Sequence, residues 1–419
     1  MFNRNLQETI EELLKEFRVV YLTGPRQSGK TTLVKKLGKQ LNMSYVTLDD
    51  QAIYQAVNQD PHGFIDSFKG RNIILDEFQY SPQLVPAIKM CSDNLAIEHK
   101  GKFLLAGSAD IFKSAKTHEA LPGHMARLEL YPLSRTEINN KQFNLIDYLI
   151  IQDFKNTKQI SITRENIAQW IIDGGYPEIQ YKKSQRTKTI WFKSYLQGRL
   201  FKDFETLYNA RGDYQTKLRV LISYLSGLCG NLLKYSNVAS DIGLDDKTSK
   251  TYISLLELMF IVKTMPAFRK NRAKREITHM PKLHFVDTGL TCYLLGLNKC
   301  EQLIKSNNYG GLLENFIMME ITKHSQWALN DISVYHFRDK RKNEVDIILE
   351  QTNGQTIAIE VKASASVSIR DFKGILKFAD FVGSQFSHGI VFYSGKHVLP
   401  FNQGKLKLTA LPIGLLNEC

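Results

Sequence analysis

The sequence predicts an α/β protein: a parallel sheet covered by helices, then a helical middle, then a second α/β unit. Three observations carry this. A short apolar strand at residues 18–23 runs straight into Gly24-Pro25-Arg26-Gln27-Ser28-Gly29-Lys30-Thr31-Thr32 and a helix-like stretch, 33–41. Further apolar strands alternate with helical segments, the pattern of parallel strands joined by crossovers. From Gly310 the pattern changes to one apolar helix and several strands with period-two alternation.

The chain has 419 residues, and 55 Lys and Arg against 42 Asp and Glu give it a net charge of +13. At roughly 100 to 200 residues per domain, that length calls for more than one core. Its 43% hydrophobic and 23% charged composition excludes a disordered or collagen-like chain. The longest apolar candidate, residues 255–262, includes Glu257 and is far short of the ~20 residues that span a bilayer, so no membrane association is expected. The first residues carry charge where a signal peptide would begin its apolar core, so a cytoplasmic location is expected. The five cysteines are widely spaced without a Cys-x-x-Cys pair, which suggests reduced thiols.

Strand, loop and helix in that order are the context in which G-x-x-x-x-G-K-[ST] binds phosphate. Glycine lets backbone N–H groups close around phosphate oxygens, and the helix adds its positive end. The span 24–32 is therefore the expected ATP-binding loop, with Lys30 reaching the β- and γ-phosphates and the Thr31 hydroxyl a ligand of Mg²⁺. A second apolar strand, 72–75, ends in Asp76 and Glu77. Asp76 is expected to help hold Mg²⁺, and Glu77 to orient or deprotonate the attacking water. A third strand, 102–107, puts Ser108 at a strand end, where a hydroxyl can sense the γ-phosphate.

Charge is concentrated in the middle. Residues 181–275 hold 19 Lys and Arg against 7 Asp and Glu, nearly the whole excess of the chain. Such a block is the electrostatic footprint of a nucleic-acid binder, although a solvated face has the same composition. Residues 238–244 and 247–258 read as two helices around a Gly243 turn, a helix-turn-helix pattern, and 260–268 as a wing hairpin. On that reading Lys247, Thr248, Ser249, Lys250 and Tyr252 face a DNA groove, aided by Arg269, Lys270, Arg272, Lys274 and Arg275.

In the carboxyl-terminal part, strands are expected at 333–337, 345–349 and 357–361. Alternation puts Glu360 and Lys362 on one face, and Asp346 starts the preceding strand. Asp346 and Glu360, with Glu314 as an outer carboxylate, could hold a hard divalent cation while Lys362 steers water, an arrangement suited to phosphodiester cleavage. Ordinary cross-strand Glu/Lys pairing has the same spacing.

As an ordered set these motifs resemble one prokaryotic family, AAA-type ATPases with a carboxyl-terminal domain of unknown function similar to the PD-(D/E)xK nuclease fold. The likeness rests on residues 24–33, Leu75-Asp76-Glu77, Gly174-Gly175-Tyr176-Pro177-Glu178, the KLHFVDTGL stretch at 282–290, Leu313-Glu314, Glu344-Val345-Asp346 and Glu360-Val361-Lys362. The resemblance implies a P-loop ATPase domain at 1–135, a helical lid or linker at 136–213, a winged helix-turn-helix at 214–270, a connector at 271–304 and a restriction-endonuclease-like domain at 305–419. Two positions depart from the family: His124 stands where an Arg is usual, and Lys202-Asp203 where Arg-Asp is frequent. A homo-oligomer with trans-acting arginines is compatible with the chain, Arg127, Arg135 and Arg199 being candidates. The leading expectation is a Mg²⁺-dependent ATPase that binds DNA and cleaves or remodels it. Its rival is an ATP-governed switch, or a protein-directed ATPase, whose nuclease-like domain only docks.

Overall fold

The structure, a computed structural model, describes residues 2–96, 98–109, 123, 125–152, 154, 160–201, 204–205, 214–269, 280–401 and 403–418. Contacts divide the chain into two units: Met1–Leu133 with Leu258–Ile261, and Ser134–Glu257 with Val262–Cys419.

The first unit is built on five parallel strands, β1 (Val19–Thr23), β2 (Ser44–Thr47), β3 (Ile73–Asp76), β4 (Phe103–Gly107) and β5 (Met125–Glu129), in the order β2-β3-β4-β1-β5. The three inner strands are buried along their whole length because both faces are covered, and they are apolar up to their ends at Thr23 and Asp76. Val19, Tyr21, Ile73, Leu75, Phe103 and Leu105 share one core with Val57, Ile65, Leu84 and Ile88. Those partners come from helices α3 (Gln51–Gln59), α4 (Pro61–Asp66) and α5 (Leu84–Asp93). The alternate residue Ile74 meets α2 (Lys30–Gln40) on the other face, so closely that a Cβ on Gly38 would lie 2.8 Å from its Cδ1. The N-terminal helix, α1, is Leu6–Glu16. Strand order has a functional consequence: β4 separates the strand that feeds the glycine loop from the strand that ends in acids, and the ends of all three lie side by side.

The second unit begins with helices α6 (Arg135–Ile138), α7 (Leu145–Ile151), α8 (Arg164–Asp173), α9 (Pro177–Gln180) and α10 (Gln185–Tyr195). Then come α11 (Tyr214–Gly227), α12 (Tyr235–Ile242) and α13 (Asp246–Leu258), with left-handed Gly243 (φ 67°) closing α12. The helix-turn-helix pattern in the sequence thus does fold as two helices around a glycine turn. The wing does not form as expected at 260–268. Instead β6 (Val262–Met265) pairs antiparallel with a distant strand, β7 (Lys282–Phe285). The reason is local: Pro266 cannot donate to a ladder. Its carbonyl accepts from His336 N at 3.0 Å, and Phe268 N donates to His336 O at 2.6 Å, so the segment after β6 bridges to β8 before the chain returns as β7.

After α14 (Thr288–Leu294) and α15 (Cys300–Lys305), α16 (Tyr309–Ser325) is buried along most of its 17 residues, as a central helix must be, and its buried face includes Glu314, Asn315 and Glu320. The six-stranded mixed sheet follows: β8 (Ile332–Arg338), β9 (Glu344–Gln351), β10 (Thr356–Lys362), β11 (Phe386–Tyr393), β12 (Leu399–Pro400) and β13 (Leu408–Pro412). Its order is β12-β13-β11-β10-β9-β8, and α17 (Lys373–Val382) supplies the crossover between parallel β10 and β11. The expected strands at 333–337, 345–349 and 357–361 fall within β8, β9 and β10.

Two stretches that carried the family resemblance meet in this unit. The Asp287 carboxylate accepts from Leu290 N at 2.9 Å, capping α14, and from Gly175 N at 2.7 Å. A Cβ on left-handed Gly174 (φ 65°) would lie 2.4 Å from Asp287 Oδ1, so only glycine fits. This contact is structural, a clasp between α8 and α14.

Candidate functional site

Gly24 has φ 149°, and a Cβ there would lie 2.2 Å from the Leu130 carbonyl oxygen, which fixes the loop against the strand next door. Gly29 (φ 98°) turns the chain into α2 as its N-cap. Lys30 is buried and donates to the carbonyls of Gly24 at 2.8 Å and Pro25 at 2.7 Å, curling over its own loop. Burial brings its pKa down from 10.5 to about 8, opposed by the negative charges of Glu77 and Asp76. The Ser28 hydroxyl is fully buried and has no hydrogen-bond partner among the described residues. Such an orphaned donor beside a buried ammonium suits a phosphate oxygen. Thr31 is half-buried and Thr32 exposed in the first turn of α2; Gln27 is exposed and left-handed (φ 60°). Arg26 turns away to Tyr80, Nη2 donating to its hydroxyl at 2.6 Å.

Asp76 is buried, accepting from the Tyr45 hydroxyl at 2.8 Å on one oxygen and from Glu77 N at 3.0 Å on the other. The hydroxyl of Thr31 and the carboxylate of Asp76 are hard oxygen donors of the kind Mg²⁺ takes. Glu77 has left-handed backbone (φ 56°, ψ 39°), an uncommon conformation for this residue type, and strain of this sort concentrates at functional sites. Its Oε2 accepts from Gln79 Nε2 at 2.5 Å, and Gln79 Oε1 accepts from Ser108 N at 2.9 Å. One amide therefore links the acid after β3 to the backbone after β4. Sequence reasoning missed Gln79, and it missed Arg4, whose guanidinium donates to Ser28 O at 2.6 Å and Tyr131 O at 2.7 Å, bracing the loop. Neither lies in a motif, and only spacing after Asp76-Glu77 could have hinted at Gln79.

Two arginine candidates are engaged within their own units. Arg127 pairs with Glu129 at 2.8 Å. Arg135 lies 4.4 Å over the Trp170 ring, donates to Asn417 at 2.9 Å and has its pKa brought down to about 10 by burial. The side chain of Arg199, together with His124 and Lys202-Asp203, lies outside the described residues.

Of the residues expected to face DNA, Lys247 and Lys250 are exposed, with Thr248 and Arg269 half-buried. Ser249 and Tyr252 are corrections: both are buried, and the Tyr252 ring packs edge-on against Phe204 at 4.9 Å. They lie on the inward stripe of α13, so helical periodicity turns them from solvent. Lys270, Arg272, Lys274 and Arg275 lie outside the described residues.

In the carboxyl-terminal sheet Glu360 and Lys362 do share a face, with Lys362 Nζ 3.0 Å from Glu360 Oε2. Asp346 stands where the β9–β10 ladder ends, and its Oδ2 accepts from Val361 N at 3.0 Å in place of a backbone carbonyl. Burial and the neighbouring Asp346 push the Glu360 carboxyl up to about 8. Glu314 is also raised, first by burial. The cation among these acids is a residue that sequence reasoning had assigned to a connector, Lys282 on β7. Its Nζ lies 2.9 Å from Glu314, 2.9 Å from Glu344 and 3.2 Å from Asp346. Among the described residues no group of three or more His, Cys, Asp or Glu is arranged to hold a metal ion. Of the expected metal set, Glu314 and Asp346 thus meet on the Lys282 ammonium together with Glu344, while Glu360 pairs with Lys362.

Residues 16–139 match an AAA domain. That span takes in the glycine loop, Asp76, Glu77, Gln79 and Ser108, and with the loop geometry it supports an ATPase of the AAA P-loop type. Residues 164–301 and 309–416 each match a domain of unknown function, DUF8612 and DUF4143. Uncharacterized proteins of Mycobacterium tuberculosis and Mycobacterium bovis are each 25% identical over 401 residues, 95% of this chain and 81% of theirs. Among solved structures, the Walker-type ATPase of Pyrococcus abyssi aligns over 70% of this chain and 96% of its own at 14% identity and TM-score 0.44. The RuvB protein of Thermotoga maritima aligns over 63% and 90% at 14% identity and TM-score 0.31. The AAA assignment rests on the matched residues 16–139 alone. No helix among the described residues is long and apolar enough to cross a membrane.

Proposed function

We propose that the protein hydrolyses ATP with Mg²⁺ in its AAA domain and binds DNA through its basic middle segment, the carboxyl-terminal domain docking rather than cutting. The observation that carries the ATP reading is Lys30, buried in the glycine loop beside an unpartnered Ser28 hydroxyl and within the field of Asp76 and Glu77. Lys30 would exchange its two carbonyl bonds for phosphate oxygens and neutralise charge that grows in transfer, while backbone N–H groups at the start of α2 hold the other oxygens. Glu77, fixed by Gln79, would orient the attacking water and take its proton. Mg²⁺, held by Thr31 and Asp76, would supply charge neutralisation between the β- and γ-phosphates.

DNA binding is supported by the 19 basic against 7 acidic residues of 181–275 and by the exposure of Lys247 and Lys250. Turnover of MgATP by the wild type, Lys30→Ala and Glu77→Gln tests the first part. Equal rates in all three would sink it. DNA that stimulates turnover, with affinity falling steeply as salt rises, is the result expected of the second; affinity indifferent to salt would overturn it.

A further inference from the structure

The carboxylates of the carboxyl-terminal sheet come from three separate elements, Glu314 on α16, Glu344 and Asp346 on β9, and Glu360 on β10. A divalent cation would need oxygens of several of these to converge on one point at about 2.0–2.6 Å. In the structure three of the four, Glu314, Glu344 and Asp346, converge on Lys282 Nζ. An ammonium has three donors, and three carboxylates take them at 2.9, 2.9 and 3.2 Å. The lysine side chain is 2% exposed, so its charge is unscreened by water and held by geometry. Asp346 spends its other oxygen on Val361 N, and Glu360 spends one on Lys362. Two ammonium groups thus meet the four carboxyl groups, Lys282 touching three of them and Lys362 the fourth. Every one of these acids thus has an ammonium partner within the fold.

His284, two residues on, faces the same place. It is fully buried, its Nε2 is 4.0 Å from Glu314 Oε1, and neither ring nitrogen has a hydrogen-bond partner among the described residues. Its unpartnered ring thus offers a nitrogen donor beside the acids.

We propose that Lys282 is the resident cation of this cluster, its ammonium standing where a divalent metal would sit among the same acids, so that the domain holds no divalent metal of its own. A metal could enter only if β7 gave up the lysine. Replacing the ammonium by a neutral side chain of similar length should then turn the cluster into a metal site, with Glu314, Asp346 and the His284 imidazole as mixed oxygen and nitrogen donors of the kind Mn²⁺ accepts.

The test counts bound Mn²⁺ by electron paramagnetic resonance on full-length, nucleotide-free protein. Wild type and Asp346→Asn should bind equal numbers. Lys282→Met, checked for folding by circular dichroism, should bind one more, and Lys282→Met/Asp346→Asn should lose it again. A wild-type Mn²⁺ that Asp346→Asn removes would overturn the proposal, as would folded Lys282→Met with no added ion. If Lys282→Met does not fold, the wild type and Asp346→Asn decide the matter alone. In parallel, labelled linear, single-stranded and four-way-junction DNA should survive Mg²⁺ or Mn²⁺ with and without ATP. Cleavage that disappears in Asp346→Asn would also overturn the proposal, leaving the ATP reading untouched because turnover is measured separately.

Discussion

Lys30, Glu77 and Gln79 divide the work of the ATP site by their environments. Burial leaves Lys30 with a pKa of about 8 where 10.5 is ordinary, so its charge is present at neutral pH and lost as pH rises through that value. Affinity for ATP should therefore be level up to about pH 7 and weaken above 8. A profile unchanged to pH 10 would show that Lys30 does not carry the binding charge. Glu77→Gln keeps size and hydrogen-bonding shape but cannot take a proton, so turnover should fall by about 100-fold or more while ATP still binds. Gln79→Ala leaves the acid in place and removes its tether, so kcat should fall on the order of 10-fold with KM little changed. If kcat and KM both stay at the wild-type values, the bridge from Glu77 to Ser108 is ornamental to catalysis.

Elements constrain these side chains through close approaches. The glycine loop passes so near the segment after β5 that Gly24→Ala would drive a Cβ to 2.2 Å from Leu130 O in a backbone region that L-residues avoid. The substitution should cost about 3 kcal/mol or more and remove nucleotide binding with it, which a thermal melt with and without ATP would show. On α13 the same reasoning separates core from surface. Tyr252→Phe preserves the ring that packs on Phe204 and should leave DNA affinity near wild type. Lys247→Ala/Lys250→Ala should leave the melt unchanged and reduce the slope of log affinity against log salt by about 2. An unaltered slope would remove α13 from the DNA interface. Much of this was legible from local pattern, since Gly24 to Thr31 and the period-two faces of β10 follow from backbone chemistry over a few residues. Ser249 and Tyr252 were misplaced because a helix's inward stripe is set by what packs on it.

For the whole molecule, stability depends on pH through the carboxylate cluster. Glu360 has a folded-state pKa of about 8 against an ordinary 4.5, so the folded protein binds a proton that the unfolded chain releases between those values. The stabilisation from that proton is fully present below about pH 4.5 and is lost as pH rises through 8. Glu360→Gln holds the neutral form at every pH. Its Tm should match the wild type near pH 5 and exceed it above pH 8, a gain on the order of 1 kcal/mol. A wild type that is the more stable of the two at pH 8.5 would mean that the ion pair with Lys362 outweighs burial.

What the sequence determined by itself is short-range: the strand, loop and helix around Lys30, the acids ending β3, and the strands that carry Asp346 and Glu360. In each, neighbouring residues fix φ, ψ and side-chain direction, so the chemistry can be read from spacing. Only the tertiary structure decided the order β2-β3-β4-β1-β5, the bracing of the loop by Arg4, the Gln79 bridge and the entry of Lys282 into the acid cluster. Arg4 meets Ser28 across 24 positions and Lys282 meets Asp346 across 64. Such pairs exist because strand register and burial bring distant residues together, and a buried charge must find an opposite one wherever along the chain it lies.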